Sequence, residues 1–146
     1  MGRKFGAFAD IPEGQESPLS YATMQRDRNV LKMVEDALRH NDAALAFQPV
    51  VEATRPDRVA FYEGLMRVFD ETERIIPAKD FIHHVEDTEV GRLIDCVALE
   101  QGLGILADAP NIRLSINMSL RSAGYPRWME SLERGLARDP TVGERL

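Results

Sequence analysis

With 146 residues, 44% of them hydrophobic and 29% charged, the chain has the size and composition of one domain with a core of its own. Its formal net charge of −6 argues against nonspecific nucleic-acid binding, which needs a basic surface to displace counterions. It leaves room for a small anionic ligand held by a few placed cations, or for a divalent metal that brings its own positive charge.

The single cysteine, Cys96, excludes an internal disulfide and fits a reducing, cytoplasmic setting. It lies in an apolar stretch with no second ligand at metal spacing and reads as a small buried hydrophobe; a catalytic thiol is the remote second reading. No run approaches the roughly 18 apolar residues of a membrane helix. Met1 to Ala9 lacks the apolar core of a signal peptide.

Residues 1–21 show no periodicity and read as a flexible lead-in, leaving 22–146 as the domain. From Ala22 to His40, Val30, Leu31, Val34 and Leu38 recur at helical spacing, and Asn41-Asp42 breaks the helix. Leu45 to Val51 reads as a buried strand and Val59 to Phe69 as a second, joined as a hairpin-like pair. Pro77 opens a helix with Phe81, Ile82 and Val85 along one face. A longer helix follows from Glu89 to Ala107 and stops at Asp108-Ala109-Pro110. Ile112 to Leu120 is a third strand. Pro126 to Arg138 is the last helix, with Trp128, Met129, Leu132 and Leu136 facing inward and Glu130, Glu133, Arg134 and Arg138 solvated. Strands alternating with helices predict an α/β layer with parallel pairing.

Each predicted strand carries a polar residue that a core strand does not need. These are Gln48 in the first, Glu63 and Arg67 in the second, and Asn117 and Ser119 in the third. Alternation puts Glu63, Leu65 and Arg67 on one face, and Asn117 and Ser119 together on another. A carboxylate there is costly unless paired or bound to a cation. Glu63 and Asn117 offer oxygen ligands of the kind Mg²⁺ or Mn²⁺ prefers. Each residue also has a plain structural reading. Glu63 and Arg67 could pair with each other, Asn117 could brace a loop, and Gln48 could satisfy a bulge beside Pro49. His83 and His84, adjacent on a helix, make poor joint metal ligands.

These segments, taken in order, resemble the EAL family. Gln48-Pro49 is similar to that family's first-strand Gln-Pro. Glu63-Gly64-Leu65-Met66-Arg67 is similar to its Glu-Ala-Leu-x-Arg signature, with Gly64 in place of Ala. Pro77 through Ile82 resembles Pro-x-x-x-Phe-Ile. Glu86-Asp87-Thr88 resembles Glu-Glu-Thr, although Glu89 departs from the usual Gly. Asn117-Met118-Ser119 resembles Asn-Leu-Ser.

The resemblance implies a TIM-like barrel that hydrolyses cyclic di-GMP to pGpG with two divalent metals, Mg²⁺ or Mn²⁺. By position it makes Glu63 and Asn117 metal ligands, and Gln48 and Arg67 substrate contacts, with Gly64 a small residue beside the ligand. The family's later motifs are a strand with Glu-x-x-Glu, an Asp-Asp-Phe-Gly segment, a Lys-x-Asp strand and a late Gly-Val-Glu. No strand carrying them is found in these 146 residues.

The expected fold is therefore α/β, a partial TIM-like (β/α) barrel of about three strands plus helices, ending before the fourth strand. The expected function is a piece of a cyclic di-GMP phosphodiesterase domain that is inactive by itself. A non-catalytic relative that binds cyclic di-GMP or a protein partner is the alternative. The open sheet of such a piece leads us to expect a homo-oligomer, with no nucleic acid and no membrane segment.

Overall fold

A computed structural model describes residues 18–146. The expected lead-in therefore lies outside the described residues up to residue 17, and residues 18–21 already belong to a helix. That helix, α1, spans Pro18–Arg39. It ends where Asn41 takes a φ of 63°, a left-handed conformation that Asn tolerates. The Asp42 N–H then donates back to the Ala37 carbonyl at 2.8 Å.

The chain reverses into β1 (Ala43–Glu52), turns over Ala53-Thr54, and returns as β2 (Arg55–Phe69). The two strands are antiparallel, with Gln48 directly opposite Glu63, Ala46 opposite Leu65 and Ala44 opposite Arg67. The register slips around Val51. The bulged stretch on the facing strand holds Pro56, which has no N–H to give to a ladder.

β2 is the centre of the sheet. β3 (Ile75–Pro77) pairs antiparallel with its end, and β4 (Leu114–Ile116) pairs parallel with its middle, placing Ser115 opposite Glu63. Parallel pairing thus holds for β4 only. The turn into β3 is built on Asp70, whose Oδ1 accepts from the Thr72 N–H, the Thr72 hydroxyl and the Arg74 N–H. The Thr72 hydroxyl, with help from Arg74, holds the Asp70 carboxyl below its ordinary range.

Two expectations are corrected here. Pro77 does not open a helix: it ends β3, and a 3-10 turn (Ala78–Asp80) precedes the short α2 (Ile82–Val85). The third strand is three residues long rather than nine, because the chain leaves the sheet after Ile116.

α3 (Glu89–Asp108) and α4 (Pro126–Arg138) complete the fold. The core forms between one face of the sheet and the helices. Met66, Val68 and Ala43 meet Val34 and Ala37 of α1, Phe81, Val85 of α2, and Val90, Ile94 and Ala98 of α3. A second cluster joins Leu99, Leu103 and Leu106 to Leu114 and Val142. Met129, expected inside, is exposed; Ser131 is buried instead and donates to Glu100 at 2.8 Å. Glu130, Glu133, Arg134 and Arg138 are solvated, as expected.

Candidate functional site

The strand alternation sorts β2 cleanly. Gly64, Met66 and Val68 are buried beneath the helices, while Glu63, Leu65 and Arg67 are half-buried on the opposite, open face. The register adds Ala44, Ala46 and Gln48 of β1 and Ser115 of β4 to that open face. Gln48, which is exposed, and Glu63 are thus cross-strand neighbours, and Asn117 follows immediately where β4 ends.

The Asn117 amide donates to Glu63 Oε1 at 2.8 Å. Glu63 is therefore not paired with Arg67, whose guanidinium turns to the Met66 carbonyl at 2.9 Å. That carbonyl belongs to the part of β2 that neither β3 nor β4 reaches along that edge. β4 pairs with Tyr62 to Gly64 and β3 with Arg67 to Phe69, so Leu65 and Met66 lie between them. A crevice of about 330 Å³ opens at this gap, bounded by Gly64 to Met66, Ala78, Glu86, Asp95 and Asn117.

Two sequence readings of neighbours change. Gly64, next to Glu63 in the strand, faces the helix-covered side, where an added Cβ would meet Leu45 and Leu114 side chains at ordinary contact distance. Ser119 does not share a strand face with Asn117. It sits in the following turn, its N–H donating to Asp95. Asp95 itself went unnoticed in the sequence. Its one signal was a carboxylate set in an apolar helical run between Ile94 and Cys96.

For a metal, the donor set on the open face is a carboxylate and an amide. With Asn117 on Oε1, Glu63 Oε2 and Asn117 Oδ1 remain without a partner among the described residues. Both are hard oxygen donors of the right kind for Mg²⁺ or Mn²⁺, but a held ion needs about six such ligands. Among the described residues no group of three or more His, Cys, Asp and Glu could hold an ion. The residues fit the chemistry of one corner of a metal site and do not fit a complete one.

The histidines lie elsewhere. His83 and His84 have ring centroids 3.8 Å apart, His84 meets Asp27 at 3.0 Å, and His40 bonds the Asp36 carbonyl. Cys96 is fully buried, and that burial pushes its thiol up from the ordinary range. A thiolate nucleophile is disfavoured there.

The EAL domain family model matches residues 31–146. The chain belongs to the EAL domain family. No curated protein matches the sequence. Among solved structures, the Xanthomonas citri FimX EAL domain in complex with c-diGMP is similar with a TM-score of 0.70 at 18% identity, over 86% of this chain and 50% of that one. The Pseudomonas aeruginosa FimX EAL domain bound to c-di-GMP follows at 0.63 and 24%, over 75% and 45%. The PaMucR phosphodiesterase in complex with c-di-GMP is similar at 0.56 and 20%, over 77% and 47%. This chain spans about half the length of these domains. Its mixed sheet, covered by helices on one face and open on the other, is a partial TIM-like fold. Among the described residues no helix is long and apolar enough to cross a membrane.

Proposed function

We propose that the chain forms the first part of a cyclic di-GMP phosphodiesterase domain, contributing Glu63 and Asn117 toward a divalent metal and Gln48 and Arg67 toward the nucleotide. The observation that carries this reading is the convergence of Gln48, Glu63 and Asn117 on one open sheet face, with Asn117 bonded to Glu63 at 2.8 Å. Arg67, on that face four residues along β2 from Glu63, would supply the positive charge that a phosphate oxygen needs. Bound Mg²⁺ or Mn²⁺ would supply Lewis-acid stabilisation of the phosphodiester. Glu63 orients the Asn117 amide, and Glu63 Oε2 and Asn117 Oδ1 would be the oxygens available to such an ion. The c-di-GMP complexes among the similar structures support the choice of ligand. The second reading is a domain that binds cyclic di-GMP without hydrolysing it; what favours it is that, among the described residues, no group of three or more His, Cys, Asp and Glu could hold an ion.

Calorimetric titration with Mg²⁺ and Mn²⁺ tests the assignment of the metal corner. The 146 residues are expected to bind either ion only in the millimolar range. Micromolar binding that disappears in Glu63→Ala would show that a complete site exists and that the count of ligands is wrong.

The same open face motivates the assembly we infer, a homo-oligomer. Phe61 shares the Glu63 face and is 36% exposed; Met118, which lines one cavity with it, is 38% exposed. Covering even a few hundred Å² of such surface is worth several kcal/mol at about 25 cal/mol per Å². Light scattering at micromolar concentration is expected to give a dimer or larger species. A well-ordered monomer would remove this inference.

A further inference from the structure

Asp95 lies in the second turn of α3 and is only 6% exposed, among Ile94, Cys96, Ala98 and Leu99, all buried. A carboxylate in such surroundings is costly unless its oxygens are hydrogen-bonded. Asp95 Oδ2 accepts two bonds, from the Ser119 N–H at 2.8 Å and from the Ser122 hydroxyl at 2.6 Å. No described cation forms an ion pair with it. Both donors belong to the turn that follows β4, and Ser119 closes that turn by accepting from the Arg121 N–H at 3.2 Å.

The other side of Asn117 is fixed by the same helix. Ile116 pairs with Gly64 and lies directly on Gly102 of α3, where an added Cβ would come within 2.1 Å of Ile116 Cδ1. Asn117 is itself exposed. An exposed Asn with free backbone on one side samples several rotamers. Here its backbone is held at Ile116 by packing and at Ser119 by Asp95.

We propose that Asp95 is a positioning residue, which by holding the Ser119–Ser122 turn against α3 fixes the Asn117 amide on Glu63. That the fixed pair serves a ligand rests on the function proposed above; that Asp95 fixes it does not.

The test is the side-chain amide of Asn117, followed by nitrogen-15 NMR in the full 146-residue chain. In the unaltered chain its two amide protons are expected to be widely split, one bonded to a carboxylate and one not. Asp95→Ala is expected to collapse the splitting to that of a free Asn. Asp95→Asn, which keeps an acceptor oxygen in place, is expected to retain an intermediate splitting. Ser119→Pro deletes the N–H without touching α3, and proline suits the Ser119 φ of −74°. It is expected to reproduce the Asp95→Ala spectrum and carries the test if Asp95→Ala does not fold. An Asn117 amide unchanged in either folded variant, even one of lowered melting temperature, would overturn the proposal and leave Asp95 a merely structural brace. Failure of the functional reading looks different. Cyclic di-GMP then moves no signal of Glu63 or Asn117 in the unaltered chain, while the dependence of the amide on Asp95 persists.

Discussion

Purified as these 146 residues, the chain is expected to give no hydrolysis of cyclic di-GMP above background in Mg²⁺ or Mn²⁺. Two-metal hydrolysis needs ions about 3.5–4 Å apart, bridged and held by several carboxylates. The open face offers one carboxylate, Glu63, and one amide, Asn117, and no described acidic neighbour completes the set. Groups that act as a unit fail together, so the loss is several orders of magnitude rather than a fraction. Chromatographic detection of pGpG over hours is the measurement. Turnover by pure protein that vanishes with Glu63→Gln would mean that the catalytic groups lie within this chain and have been placed wrongly.

Gly91→Ala is expected to lower stability by about 2 kcal/mol, in the range of overpacked cores. Gly91 lies in the first turn of α3, where helix propensity would by itself favour Ala by about 1 kcal/mol. Packing opposes this. A Cβ there would stand 2.6 Å from the Val85 carbonyl oxygen and 2.9 Å from Glu86 Cα. Both are backbone atoms at the end of α2, which cannot turn aside as a side chain can. Gly64→Ala is the contrasting control. Its Cβ would lie 3.5 Å or more from every neighbour, so restoring the family's signature residue should add roughly 0.5 kcal/mol by restricting the unfolded chain. Urea unfolding with unchanged m-values separates the two, the midpoint falling for Gly91→Ala and rising slightly for Gly64→Ala. Equal midpoints would mean that the α2–α3 approach is looser than these distances imply.

The helices were legible wherever apolar residues kept a helical period. The last helix, Pro126–Arg138, coincides with its sequence reading, and α3 differs by one residue at its end. The hairpin was legible because two apolar runs flank a short polar segment. β3 was not, since three residues after a turn carry no periodicity, and Pro77 satisfies a strand end as well as a helix start. The overlong third strand shows a different limit. Asn117 to Leu120 has strand-like alternation, but two bonds to a carboxylate on a distant helix hold the turn away from the sheet. The placement of Gln48 opposite Glu63 follows from pairing register, which alternation within each strand does not fix. The partner of Glu63 was likewise open, and it is Asn117 rather than the nearer Arg67.

The central strand also sets an order of assembly. β1 and β2 meet across a two-residue turn, whereas Asn117 reaches Glu63 from 54 positions away. Closing the long loop costs more chain entropy than closing the short one, so the hairpin can form first and the β4 contact later. The reverse holds in partial unfolding. Amide hydrogens of Leu114 to Ile116 should exchange with solvent through a lower-energy opening than those in the middle of the hairpin. In molecules opened that far, Gln48 and Glu63 still face each other across the ladder while Asn117 has departed. The Asn117–Glu63 contact is then governed by the docking of one three-residue strand, and it can be lost while most of the domain remains folded.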